Sequence, residues 1–240
     1  MAEPIRKLAA IVFTDIVGFT KLTAKDQQLA SDLLDIQRAE LKPLVESYQG
    51  KWIKEVGDGL ILTFDTINKA VHCCIKIQEK AKTIESLSLR IGIHQGEILE
   101  KENDIIGDDV NITARIEPFS APGGIAISNK VNDALVREHD FETKFIGKPK
   151  LKGVGQNVEV FCIISHNLPE TKLSEVSAKL EKSIPIWQYA IGALLVISIA
   201  GYFIMPKKPS VVSVAVMYMD IRGNEEDQYL ETMTEDLIFD

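Results

Sequence analysis

The chain predicts an α+β fold, built as an α/β sandwich, over Leu8 to Ile164, and two patterns carry that expectation. Apolar runs of strand length, several closed by glycine-bearing turns, alternate with longer segments whose apolar residues recur at helical spacing. A third pattern sets the rest apart: from Ile186 an uncharged apolar stretch is long enough to cross a membrane.

Leu8–Thr14 is an apolar run of strand length that gives way to Asp15. Arg6 and Lys7 precede it as in a signal peptide, but the run is too short and lacks a cleavage pattern, so it reads as a buried first strand. Asp26 to Tyr48 reads as a helix, with Leu29, Leu33, Ile36, Leu41, Leu44 and Val45 at helical spacing. Pro43 falls inside it and predicts a kink or an early end. Lys51–Val56 and Leu60–Phe64 flank Gly57-Asp58-Gly59 and predict a β-hairpin. Ile67, Val71, Cys74, Gln78 and Ala81 mark a second helix, capped by Asp65 or Thr66. Leu87–Ile98 is strand-like, with Gly92 and Gly96 expected to interrupt it. Asp109 to Glu117 predicts a short helix closed by Pro118. Ile125–Ser128 reads as a strand and Asn129–Arg137 as a helix. Phe141–Ile146 and Val158–Ile164 are the expected last strands, around the turn Lys152-Gly153-Val154-Gly155.

Of 240 residues, 45% are hydrophobic and 26% charged, as in an ordinary folded protein. The net charge of −8 argues against a nucleic-acid binder and means that an anionic substrate needs local help from a metal or a few placed cations. Cys73, Cys74 and Cys162 show neither metal-ligand spacing nor a disulfide framework, and read as thiols in a reducing compartment.

Composition shifts after Ser165. Across 166–185, Leu173, Val176, Leu180 and Ile184 share one face of a short helix, either a solvated linker or a short coiled coil that couples two protomers. Ile186–Met205 carries no charge, has Trp187, Tyr189 and Tyr202 near its ends, and predicts a single transmembrane helix. Lys182, Lys207 and Lys208 flank it too evenly to set its orientation. The segment 206–240 reads as the start of a second, extracytoplasmic domain, too short to bury a core of its own.

Chemistry gathers at six residues. Asp15, in Phe13-Thr14-Asp15-Ile16-Val17-Gly18-Phe19-Thr20, and Asp58, in Gly57-Asp58-Gly59, each sit where an apolar run meets glycine. Two such carboxylates together suit Mg²⁺, a hard cation that takes oxygen ligands and leaves room for phosphate oxygens. Lys54 lies four residues before Asp58, and Asp104 precedes a helix on which Asn111 and Arg115 share a face at i and i+4. Singly these are a hairpin turn, an edge-strand lysine and a solvated helix face. His94 lies within a strand run and reads as structural.

Together and in this order, Phe13–Thr20, Lys54–Gly59, Leu89–Gly96 and Asp104–Glu117 closely resemble the catalytic domain of class III nucleotidyl cyclases, of the adenylate cyclase type, over roughly Lys7 to Ile164. The resemblance implies a ferredoxin-like domain that works as a head-to-tail homodimer with active sites shared across the interface. It implies that Asp15 and Asp58 hold two Mg²⁺ or Mn²⁺ ions and that Lys54 and Asp104 select adenine over guanine. Asn111 and Arg115 match the residues that position the ribose and stabilise the transition state. The backbone of Ile16, Val17, Gly18, Phe19 and Thr20 resembles the family's phosphate-cradling turn. Lys152 is similar to a phosphate-binding lysine, although Val154 stands where many members carry a second one.

Purine chemistry agrees with the adenine assignment. Asp104 can accept from adenine N6 and Lys54 can donate to N1, whereas guanine reverses that edge; polar groups left unpaired discriminate strongly. The expectation is a membrane-tethered adenylate cyclase that makes cyclic AMP from ATP, with its catalytic domain on the cytoplasmic side, where ATP is. The alternatives are a guanylate cyclase and a catalytically silent nucleotide-binding dimerisation module. A diguanylate cyclase is disfavoured, because no Gly-Gly-Asp-Glu-Phe-like turn occurs.

Overall fold

The strand β1 (Ile5–Ile16) organises the molecule because Ala9 to Val12 are apolar on both faces and can be buried from both sides. In this computed structural model, which describes residues 4–102, 104–149, 158–172 and 176, β1 is paired along both edges. The linker, the expected membrane helix, the segment 206–240 and Lys152 lie outside the described residues.

After β1 come α1 (Phe19–Lys25), α2 (Gln27–Ser47), β2 (Lys51–Val56), β3 (Gly59–Phe64), α3 (Ile67–Ala81), β4 (Leu89–Lys101) and β5 (Asp104–Ile106). Then follow α4 (Asp108–Ile116), a 3₁₀ turn (Glu117–Phe119), β6 (Ile125–Ser128), α5 (Asn129–Leu135), β7 (Thr143–Gly147) and β8 (Val160–Ile163). The strands form one sheet in the order β2-β3-β1-β4-β6-β8-β7, with β5 folded back on the end of β4. Among the described residues only the β4–β6 pairing is parallel. The expected α+β architecture is therefore present in the described residues.

Alternation along β1 separates two apolar faces. Ala10, Val12 and Ile16 pack with Leu33, Leu41 and Val45 of α2 and with Val71, Cys74 and Ile77 of α3. Ala9 and Ile11 turn to the other face and meet Ile53, Ile61, Ile98 and Ile105. A third cluster seats α4 through Ile112 and Ile116 against Ala126 and Val160.

Two local expectations are corrected. α2 runs through Pro43 to Ser47; Leu41 and Val45, both 0% exposed, anchor that part of the helix in the core and offset the hydrogen bond that proline cannot make. α2 starts where the sequence placed it, at Asp26, whose side chain accepts from the Leu29 amide at 3.0 Å; α1 before it is a short helix that the sequence reading did not include. Gly92 and Gly96 do not interrupt β4, which is continuous from Leu89 to Lys101. They allow close approach instead: a Cβ at Gly92 would lie 2.5 Å from the Glu117 amide nitrogen, and one at Gly96 would lie 1.9 Å from Asp109 Cγ. Of the two expected caps for α3, Thr66 is the one used; its hydroxyl accepts from the Lys69 amide at 3.3 Å. The three cysteines are free and buried.

Candidate active site

Asp15 lies one residue before the end of β1 and is set there by the strand register, directly opposite Arg90 of β4. Asp58 reaches it from the β2–β3 turn. That turn is latched to the end of β1 by two bonds: Asp58 Oδ2 accepts from the Ile16 amide at 2.9 Å, and Thr14 Oγ1 accepts from the Leu60 amide at 3.2 Å. Gly57, with φ of 64°, makes the tight turn possible. The Asp58 carboxyl is raised above its ordinary range, first by burial and then by the neighbouring Asp15 carboxylate, against the lowering effect of the Ile16 amide.

Two further residues complete this cluster, and sequence reasoning did not single them out as site residues. Arg90 forms an ion pair through Nη2 with Asp15, while its Nε stands 3.0 Å from Glu117 Oε1. Glu117 follows α4 directly and is pushed up to about 7, chiefly by burial, with Arg90 easing the shift and the Asp15 and Asp58 charges adding to it. Both residues lie inside segments that carried the cyclase resemblance, but only register and the Gly92 contact show that they meet.

The aspartate pair fits a divalent cation. Both are hard oxygen donors, and the Asp15 charge adds to the burial that raises Asp58, a repulsion that a cation relieves. Among the described residues no group of three or more His, Cys, Asp or Glu could hold a metal by itself. Two carboxylates are nevertheless the usual protein share of a Mg²⁺ site that substrate phosphates complete. In the turn after Asp15, Gly18 has φ of 78° and heads α1. The Ile16 amide is given to Asp58 and the Val17 amide to Ser88 O at 2.8 Å, so the cradle reduces to the donors of Gly18, Phe19 and Thr20 at the helix start.

Lys54 and Asp104 meet as expected: Nζ and Oδ1 are 2.5 Å apart, with side chains 38% and 49% exposed. Lys54 opposes Ile61 across the hairpin and Ile61 opposes Phe13, two residues before Asp15. Both carboxylate–cation groups therefore belong to the sheet face away from α2 and α3. The Asp104 carboxyl is held below its ordinary range, first by the hydrogen bond from Lys54 and also by the Ile105 amide.

On α4, Asn111 is exposed and Arg115 half-buried, and among the described residues neither side chain makes a hydrogen bond or ion pair. Their helix is fixed by its neighbour Asp109. Oδ1 of Asp109 lies 2.9 Å from His94 Nε2, and Oδ2 accepts from the Glu97 amide at 2.8 Å. His94 Nδ1 lies 2.8 Å from Ser128 Oγ. Burial alone would raise Asp109, but the His94 and Glu97 bonds and the Lys130 charge outweigh it and hold the carboxyl low. Burial drives His94 down, against Asp109. This Ser-His-Asp row is sealed, with Ser128 0% and His94 1% exposed, so it ties β4, β6 and α4 together and offers no nucleophile. His94 is structural, as its place in the strand suggested.

Residues 2–165 match the family described as the adenylate and guanylate cyclase catalytic domain. A Rhizobium meliloti (strain 1021) protein that carries an adenylate cyclase name is 32% identical over 164 residues, covering 65% of this chain and 28% of that protein. The pH-sensitive adenylate cyclase of Mycobacterium tuberculosis (strain CDC 1551 / Oshkosh) is 28% identical over 170 residues, covering 67% of this chain and 41% of its own length. The chain thus spans less than half of these relatives. The crystal structure of an adenylate/guanylate cyclase/hydrolase from Silicibacter pomeroyi superposes with a TM-score of 0.63 at 28% identity, covering 70% of this chain and all of that one.

Proposed function

The chain belongs to the adenylate and guanylate cyclase catalytic domain family, and from that premise we propose that it is an adenylate cyclase, converting ATP to 3′,5′-cyclic AMP and pyrophosphate. The observation that carries the choice of ATP is the Lys54–Asp104 pair, an ammonium and a carboxylate side by side and open to solvent. Against a purine edge, Asp104 accepts from adenine N6 and Lys54 donates to N1. Guanine presents an O6 acceptor and an N1 donor, which reverses the match.

Two Mg²⁺ or Mn²⁺ ions held by Asp15 and Asp58 would supply Lewis-acid chemistry, lowering the pKa of the ribose 3′-hydroxyl and neutralising phosphate charge. The chain's own residues bind and orient. The amides of Gly18 to Thr20 receive phosphate oxygens, Asn111 orients the ribose, and Arg115 directs its charge at the oxygens that gain charge as the 3′-oxygen attacks the α-phosphorus. His94 is too deeply sealed to serve as the base.

A head-to-tail homodimer forms the complete site in this reading. The face that carries both charged pairs also exposes Val56 (58%), two residues after Lys54, an apolar position that a second copy would cover. On the strength of its uncharged sequence, Ile186–Met205 tethers the protein to the cell membrane, with the catalytic part on the cytoplasmic side.

The test is product formation from ATP and from GTP with Mg²⁺ or Mn²⁺. Cyclic AMP should predominate, and Asp15→Ala should abolish it while the domain stays folded. Predominant cyclic GMP would overturn the purine assignment, and an active Asp15→Ala variant would remove Asp15 from the cation site.

A further inference from the structure

Arg90 stands between the carboxylates of Asp15 and Glu117, with Asp58 beside Asp15, and their partial burial makes the arrangement consequential. The side chains of Arg90, Asp15 and Glu117 are 19%, 30% and 11% exposed. Asp15 and Arg90 are direct cross-strand neighbours, so their ion pair follows from register alone. Glu117 is placed separately. Its backbone lies over Gly92, where a Cβ would come within 2.5 Å of its amide nitrogen, and Gly92 shares a strand face with Arg90. The guanidinium therefore stands between carboxylates from different elements: Nη2 pairs with Asp15 of β1, and Nε lies 3.0 Å from Glu117 Oε1 on the turn after α4, a charge contact without hydrogen-bond geometry.

Asp15 cannot serve Arg90 and a divalent cation equally. A cation arriving at Asp15 and Asp58 repels the guanidinium and competes for the same oxygens. A largely buried guanidinium that loses a carboxylate is destabilised unless another stands close by. Glu117 is that replacement, already within 3.0 Å of Nε. We infer that Arg90 is the counter-ion of the cation-free aspartate pair, and that Glu117 is the positioning residue that keeps its guanidinium in the site when a cation takes Asp15. The handover lowers the cost of cation entry and leaves Arg90 beside the bound ion. This rests on the reading of Asp15 as a cation ligand.

The test is Mn²⁺ binding to the full chain without nucleotide, followed by the electron paramagnetic resonance signal of free Mn²⁺, at about pH 8, above the titration of Glu117 at about 7. Arg90→Gln should bind Mn²⁺ about tenfold more tightly or better, because the competitor is gone. Glu117→Gln should bind about tenfold more weakly, because Arg90 then loses the carboxylate that does not compete with the cation, and Glu117→Asp should recover part of the loss. In the Arg90→Gln background, Glu117→Gln should change little. Thermal unfolding of each variant shows that the fold is kept.

An equal loss from Glu117→Gln with and without Arg90 would overturn the inference, since Glu117 would then act only as a distant negative charge. So would an Arg90→Gln variant that binds no more tightly than the parent chain. Failure of the cyclase reading looks different: the parent chain would then form no cyclic nucleotide, whatever the binding cycle showed.

Discussion

Gly96→Ala is the substitution with the most calculable outcome. Gly96 lies in the body of β4, opposite Ala9, so the backbone accepts alanine and only space is at issue. The added Cβ would stand 1.9 Å from Asp109 Cγ and 2.2 Å from both its Cβ and its Oδ2. Rotating the side chain cannot clear its own Cβ, so the start of α4 must shift and Asp109 gives up His94 Nε2 at 2.9 Å and the Glu97 amide at 2.8 Å. Two charge-assisted bonds at about 1.5 kcal/mol each make a loss of about 3 kcal/mol. In a domain of this size that lowers Tm by roughly 6–12 °C. Cyclase activity should fall with it, because Asp109 stands two residues before Asn111 on the helix that carries Arg115. Scanning calorimetry of Gly96→Ala, Asp109→Gly and the double variant decides the matter. Asp109→Gly removes every atom of that clash, the Cβ included, so the double variant should cost no more than Asp109→Gly alone. Additive costs, or a Gly96→Ala variant as stable as the parent, would refute the steric account.

Glu117 makes stability depend on pH. Its folded value of about 7 lies above the ordinary 4.5, so the native state binds more protons than the unfolded chain between those values. Stability should therefore fall as pH rises through that window, by at most about 3 kcal/mol, and Glu117→Gln should flatten the fall in urea unfolding of the cation-free protein. An unchanged slope in the variant would show that burial does not set the Glu117 equilibrium. Lys54→Ala should reduce kcat/KM for ATP by about 10–100-fold and narrow the preference over GTP; an unaltered ATP/GTP ratio would count against its place at the purine. Mixing Lys54→Ala with Arg115→Ala should restore part of the activity through one intact shared site, and no recovery would argue for sites within single chains.

Much of this protein is legible in its sequence because the signals are local. Asp15 follows an apolar run, Asp58 sits between glycines, and Asn111 and Arg115 are spaced one helical turn apart. Each pattern survives whatever the rest of the chain does. The expected strands and helices from Leu8 to Ile164 appear in the described residues with shifted ends, and Lys54 meets Asp104.

What the sequence left open depends on neighbours far along the chain. Pro43 reads as a helix breaker until Leu41 and Val45 are seen buried. Gly92 and Gly96 read as interruptions until the turn at Glu117 and the side chain of Asp109 are seen pressed against them. Arg90 and Glu117 give no motif of their own, since 27 positions separate them and only the β1–β4 register and the return of the chain after α4 bring both to Asp15. Local propensity and side-chain chemistry thus determined which residues could act. Packing decided which of them share a charge, because that depends on distances between segments that no spacing along the chain records.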